Sequence, residues 1–238
     1  MRYSEKETIK RVEEALQSPK FYDNNFVNWK GVTDTGKRYS EVISAILLQK
    51  EGRSRLDMSI PQITRQGKSY FVGHEGKPIN GRPDGKLKRQ EEYMALGMFK
   101  KTFKHFGEII DYQTPVINKQ NEGIGDIDLL SYDGNCLHIL ELKKNNEDDT
   151  LLRCALQVYT YWKTVNHKKL LDDFGKPNYT KVRKGILICK NCLAYKDFKN
   201  IAELPKTKRL VEELGVDVYV YEEKDGDIIV EVILQINP

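Results

Sequence analysis

The side chains best suited to chemistry lie in two short strand-like stretches, Gly125 to Tyr132 and Leu137 to Lys143. Alternate side chains of a strand face the same way. Asp126, Asp128 and Leu130 therefore share one face, and Leu137, Ile139, Glu141 and Lys143 share another, with His138, Leu140 and Leu142 opposed to them. Between the stretches, Asp133-Gly134 is a strong hairpin signal. A two-residue turn would pair Tyr132 with Asn135 and set Asp126 opposite Glu141. A four-residue loop would set Asp128 opposite Glu141. Either register puts the Asp128 and Glu141 carboxylates on one side, as direct or diagonal neighbours. Like charges gathered on apolar strands are costly unless a cation neutralises them. Hard divalent ions such as Mg²⁺ suit clusters of oxygen ligands. A lysine two residues after the second acid could orient a nucleophilic water, so phosphodiester hydrolysis is the natural reaction for this inventory.

The elements that must position these residues can be read around them. Lys86–Phe106 has Tyr93, Leu96, Phe99, Phe103 and Phe106 at helical spacing. Strands are expected over Ile109–Ile117, Gly125–Tyr132 and Leu137–Lys143, then a helix over Asp149–Thr164 and a short strand over Gly185–Cys189. A helix over Ile201–Leu214 should stop at Gly215. Asp217–Tyr221 and Ile228–Leu234 close the chain around an Asp225-Gly226 turn. The order α-β-β-β-α-β, then α-β-β, predicts an α/β fold with a mixed central sheet flanked by helices. Upstream, residues 4–17 read as an amphipathic helix capped by Ser4, and Ser40–Gln49 as a second. Residues 52–85 are rich in Gly, Pro and Arg, with a short strand expected at Tyr70–Val72. The chain thus divides into a mainly helical N-terminal extension, 1–85, and a domain over 86–238.

Asp128, Glu141 and Lys143, with Gly125-Asp126-Ile127-Asp128 ahead of them, resemble the motif of the PD-(D/E)XK phosphodiesterases, the restriction-endonuclease-like superfamily. Gln157 and Tyr161 on the next helix look like the QxxxY motif of its RecB-like branch. The resemblance covers roughly residues 86–190. It implies a restriction-endonuclease-like αβββαβ core and Mg²⁺ or Mn²⁺ bound by Asp128, Glu141 and the backbone carbonyl of Leu142. It also implies water activation by Lys143, support from Gln157 and Tyr161, and DNA as the substrate, with RNA left open. Many members add a glutamate from the first core helix. Glu92, aligned with Ala95, Leu96 and Phe99, is preferred over Glu91. Asp126 is an auxiliary ligand candidate.

The remaining features bound this reading. Hydrophobic residues are 39% and charged residues 31%, which suits a folded core rather than a disordered chain. No apolar run is long enough for a membrane span, and no signal peptide is evident, so a cytoplasmic setting is expected. The net charge of +4 decides nothing. Basic clusters at Lys86–Arg89, Lys100–Lys104, Lys163–Lys169, Lys181–Lys184 and Lys206–Arg209 would attract a polyanion if they converge. Cys189 and Cys192 form a CxxC, but Cys136 and Cys154 stand alone, so buried small residues are the better reading than zinc. His74, His105, His138 and His167 show no mutual ligand spacing. Gly73–Gly76 and Gly81–Gly85 read as turns, and no Walker loop is present. The rival class is a catalytically silent binding module on the same fold. A homo-oligomer or a larger repair or defence complex is left open.

Overall fold

The computed structural model describes residues 3–62, 65, 67–73, 90–117 and 125–236. The turns expected at Gly81–Gly85, most of Gly73–Gly76, His74 and the Lys86–Arg89 cluster lie outside them. Among the described residues are eight α-helices: α1 (Glu5–Ala15), α2 (Tyr39–Leu47), α3 (Lys50–Ser59), α4 (Gln90–Met98), α5 (Leu151–Thr164), α6 (His167–Asp173), α7 (Leu193–Lys199) and α8 (Pro205–Leu214). Seven strands form one mixed sheet in chain order: β1 (Thr102–Phe103), β2 (Gly107–Pro115), β3 (Asp126–Tyr132), β4 (Cys136–Lys143), β5 (Lys181–Cys189), β6 (Asp217–Lys224) and β7 (Asp227–Leu234). The pairs β4–β5 and β5–β6 are parallel and the others antiparallel. The expected mixed α/β architecture is therefore present.

Several local expectations need correction. The helix expected to reach Phe106 ends at Met98, because Lys100 adopts a left-handed φ of 64° and the chain turns into β1. Phe103 and Phe106 are buried beyond that turn, so their helical spacing was fortuitous. Tyr70–Val72 is not a strand; the Tyr70 N–H donates to Asp173 Oδ2 instead of to a ladder. Helices α3, α6 and α7 were not anticipated. The polar α3 fits against α2 through Gly52, where a Cβ would lie 2.2 Å from the Ile46 carbonyl oxygen. The helix expected from Ile201 begins at Pro205, after a 3₁₀ turn over Ile201–Glu203, while two end signals hold: Ser4 Oγ caps α1 by accepting from the Glu7 N–H, and Gly215 ends α8 at φ 66°.

One apolar core runs from Val12 and Leu16 through Ile43, Leu47 and Leu56 to the sheet residues Ile139, Leu187 and Val220. Helix α5 covers one sheet face, with Trp162 over Lys184 of β5. Helix α4 lies toward the other face, where Tyr221 of β6 donates its hydroxyl proton to Met94 Sδ. Two 3₁₀ turns after α1, Phe21–Asp23 and Asn25–Asn28, dock on the start of α5. The Asn28 side chain accepts from the Thr150 N–H and donates to Asp149 Oδ1, and Asp23 pairs with Arg153.

Candidate functional site

The hairpin between β3 and β4 uses the four-residue connection. Tyr132 pairs with Leu137 and Leu129 with Leu140, so the same register sets Asp128 opposite Glu141. The cause is local. Asp133 Oδ1 accepts from the N–H groups of Asn135 and Cys136, which widens the turn beyond two residues. On the other side of β3, Tyr112 pairs with Leu129 and Thr114 with Ile127, leaving Gln113 beside Asp128. Gln113 has a left-handed φ of 48°, uncommon for a residue with a Cβ and often found at functional sites. Its Nε2 donates to Asp128 Oδ1 at 3.0 Å, and the Leu142 N–H donates to Asp128 Oδ2 at 2.8 Å. A strand residue sends its N–H and C=O to the same side, so the Leu142 carbonyl also faces β3.

Glu141 is buried, and its Oε1 lies 2.8 Å from Lys143 Nζ. Its Oε2 is buried with no hydrogen-bond partner. Lys143, also buried, contacts Asp149 Oδ2 at 3.2 Å and Glu91 Oε1 at 4.0 Å. Burial raises the Asp128 carboxyl, with Lys143 and the Leu142 N–H opposing. Burial, then the Asp128 charge, pushes Glu141 well above the usual carboxylate range despite Lys143. For Lys143 burial acts downward, but Glu141 and the other surrounding anions outweigh it and hold the ammonium well above its ordinary value. The site therefore has an excess of anionic groups for one lysine to neutralise.

Glu91, not Glu92, is the helix α4 acid beside Lys143. The buried line of α4 runs through Ala95 and Met98, and Glu91 stands one turn before Ala95 on that line. The preference for Glu92 rests on its alignment with Ala95, Leu96 and Phe99, of which only Ala95 is fully buried. Burial raises the Glu91 carboxyl, with Lys143 opposing. Asp126 is exposed at the start of β3. On α5, Gln157 Nε2 donates to Tyr161 OH at 3.0 Å, so the expected pair sits one turn apart and in contact. Tyr161 packs edge-on against Tyr22 and is pushed well above the ordinary phenol range, first by burial and then by the Glu141 charge. Its hydroxyl would lie 2.6 Å from a Cβ on Gly125, so only glycine lets this residue approach the start of β3 so closely. Sequence reasoning missed Gln113 and Asp149. The left-handed backbone at Gln113 leaves no sequence mark, while Asp149 just ahead of α5 reads in the sequence only as a helix start.

Oxygen donors from adjacent strands, one of them buried and unpartnered, fit a hard divalent cation held by Asp128, Glu141 and the Leu142 carbonyl. No protein-family model, no curated protein and no solved structure matches the chain. Among the described residues no helix is long and apolar enough to cross a membrane.

Proposed function

We propose that this protein is a Mg²⁺- or Mn²⁺-dependent nuclease that hydrolyses phosphodiester bonds in DNA, with a restriction-endonuclease-like core formed by α4, β2, β3, β4, α5 and β5. The observation that carries the reading is Glu141, buried against Lys143 with one oxygen unpartnered, on a strand whose register, continued one residue past Leu129 and Leu140, sets it opposite Asp128. When bound, the cation would polarise a phosphoryl oxygen and make a coordinated water more acidic. Asp128, oriented by Gln113 and the Leu142 N–H, and Glu141 would hold the cation. Lys143 keeps its charge and orients the attacking water. Asp149 and Glu91 keep the ammonium in place, and Gln157 with Tyr161 closes the α5 side of the site. Basic residues near α5, among them Arg53 and Lys163, would favour a phosphate backbone.

Purified protein incubated with plasmid and linear DNA tests this reading. Cleavage should require Mg²⁺ or Mn²⁺ and should disappear in Asp128→Asn, Glu141→Gln and Lys143→Ala. Absence of cleavage with either metal, or full activity in Lys143→Ala, would overturn it.

A further inference from the structure

The opposite face of the same hairpin carries a second cluster with softer donors. Asp133, Cys136 and His138 each offer a ligand atom, and these atoms lie within 4.8 Å of one another. Cys136 and His138 alternate with Leu137 and Ile139 along β4, so they face away from Glu141 and Lys143. His138 Nε2 lies 3.0 Å from Asp133 Oδ2. His138 is only 2% exposed, yet its Nδ1 has no hydrogen-bond partner. Directly across the ladder, Ser131 is also buried with an unpartnered Oγ. Buried polar atoms are seldom left unsatisfied, so two on facing residues mark groups whose bonding a further polar species or ion on this side would complete.

The geometry points to a zinc-class metal site formed by Asp133, Cys136 and His138. Thiolate and imidazole select Zn²⁺ over Mg²⁺, so this site and the carboxylate site would fill with different ions. Tetrahedral zinc with bonds of about 2.0–2.3 Å separates its ligand atoms by roughly 3.3–3.8 Å, so the cluster needs only slight closure. Ligation would convert the Cys136 thiol to thiolate and release its proton to solvent. Thiolate and carboxylate together balance the charge of the ion. The nearby Arg183 guanidinium does not oppose this strongly, because it is engaged by Asp217 and the Ile236 carbonyl. The ion would tie the turn to β4 and lock the register that sets Asp128 opposite Glu141.

Cobalt titration of protein saturated with Mg²⁺ tests the site independently of any nuclease activity. One equivalent of Co²⁺ should produce a thiolate-to-cobalt charge-transfer absorption that Zn²⁺ displaces. Cys136→Ser should abolish that absorption, and His138→Gln should weaken Co²⁺ binding by about tenfold or more. The double variant Cys189→Ser/Cys192→Ser should retain the absorption. Cys136 is half-buried, and Cys136→Ser changes one atom, so circular dichroism should show an unaltered fold. Absence of the absorption in wild-type protein, its survival in Cys136→Ser, or its loss in the Cys189/Cys192 variant would overturn the site.

Discussion

Lys143 and Lys184 lie on adjacent strands of one sheet face, both nearly excluded from solvent at 5% and 8% exposure, and their charges behave oppositely. Lys143 is ringed by Glu141, Asp149 and Glu91. Its ammonium is held well above its ordinary range although burial opposes the charge. Lys184 sits 3.8 Å over the Trp162 ring and near that of Tyr159, with no carboxylate in ion-pair range among the described residues. Burial, with Arg53 and Lys163 adding to it, lowers Lys184 to about 8 against the weaker pull of Asp217. Burial alone does not decide whether a lysine stays charged. Its neighbours do, and they make Lys143 the one suited to hold a water or phosphate by charge.

The comparison can be broken most sharply at Glu141. Glu141→Gln removes the nearest anion to Lys143 and a proposed metal ligand at once, and metal-dependent cleavage should fall on the order of a thousandfold. A fall below tenfold in single-turnover assays would mean that Glu141 is structural. Lys143→Met leaves the half-buried Asp128 and the buried Glu141 facing each other without a cation. In metal-free urea unfolding it should cost about 3–5 kcal/mol. Lys184→Met should be neutral or stabilising at neutral pH, since it removes a charge without a counter-ion; equal losses for the two would erase the contrast.

A pH series sharpens the same contrast. An unfolded lysine holds its proton up to its ordinary value of 10.5, whereas Lys184 in the fold releases it near 8. Between those values the unfolded chain binds more protons, so stability should rise with pH by at most about 3 kcal/mol. The cost is fully present below pH 8, and Lys184→Met should lack the rise. Parallel stability curves for wild type and variant would show that Lys184 is not shifted.

Smaller effects are expected at the margins of the carboxylate site. Gly125→Ala would push against Tyr161 OH and should lower kcat by up to about a hundredfold with little loss of thermal stability. Glu91→Gln should lower activity about tenfold, near the low end for a side chain that assists without touching the reacting atoms. Glu92→Gln should leave activity unchanged in the same assay. The reverse order would restore Glu92 as the α4 acid.

What was legible follows from how local each signal is. The β3–β4 hairpin, its acids and its lysine could be read because period-two alternation and Asp133-Gly134 act over a few residues. The choice between turn lengths could not, because it depends on Asp133 Oδ1 gathering the Asn135 and Cys136 N–H groups. Gln113 and Asp149 reach the site through a left-handed backbone residue beside Asp128 and a contact from Asn28, neither of which has a sequence period. Asp133, Cys136 and His138 carry no repeated spacing of a single residue type, so no ligand pattern marks them in the sequence. The turn mixes all three residue types at one strand end. Helix α3 has too few apolar residues for a periodic signal, and its fit to α2 rests on Gly52.

Anomalous diffraction from a crystal soaked in Mn²⁺ tests the central claim most directly. A peak between the Asp128 and Glu141 carboxylates, against the Leu142 carbonyl, is the predicted result. Well-ordered carboxylates with no peak between them, or manganese bound only elsewhere, would contradict it.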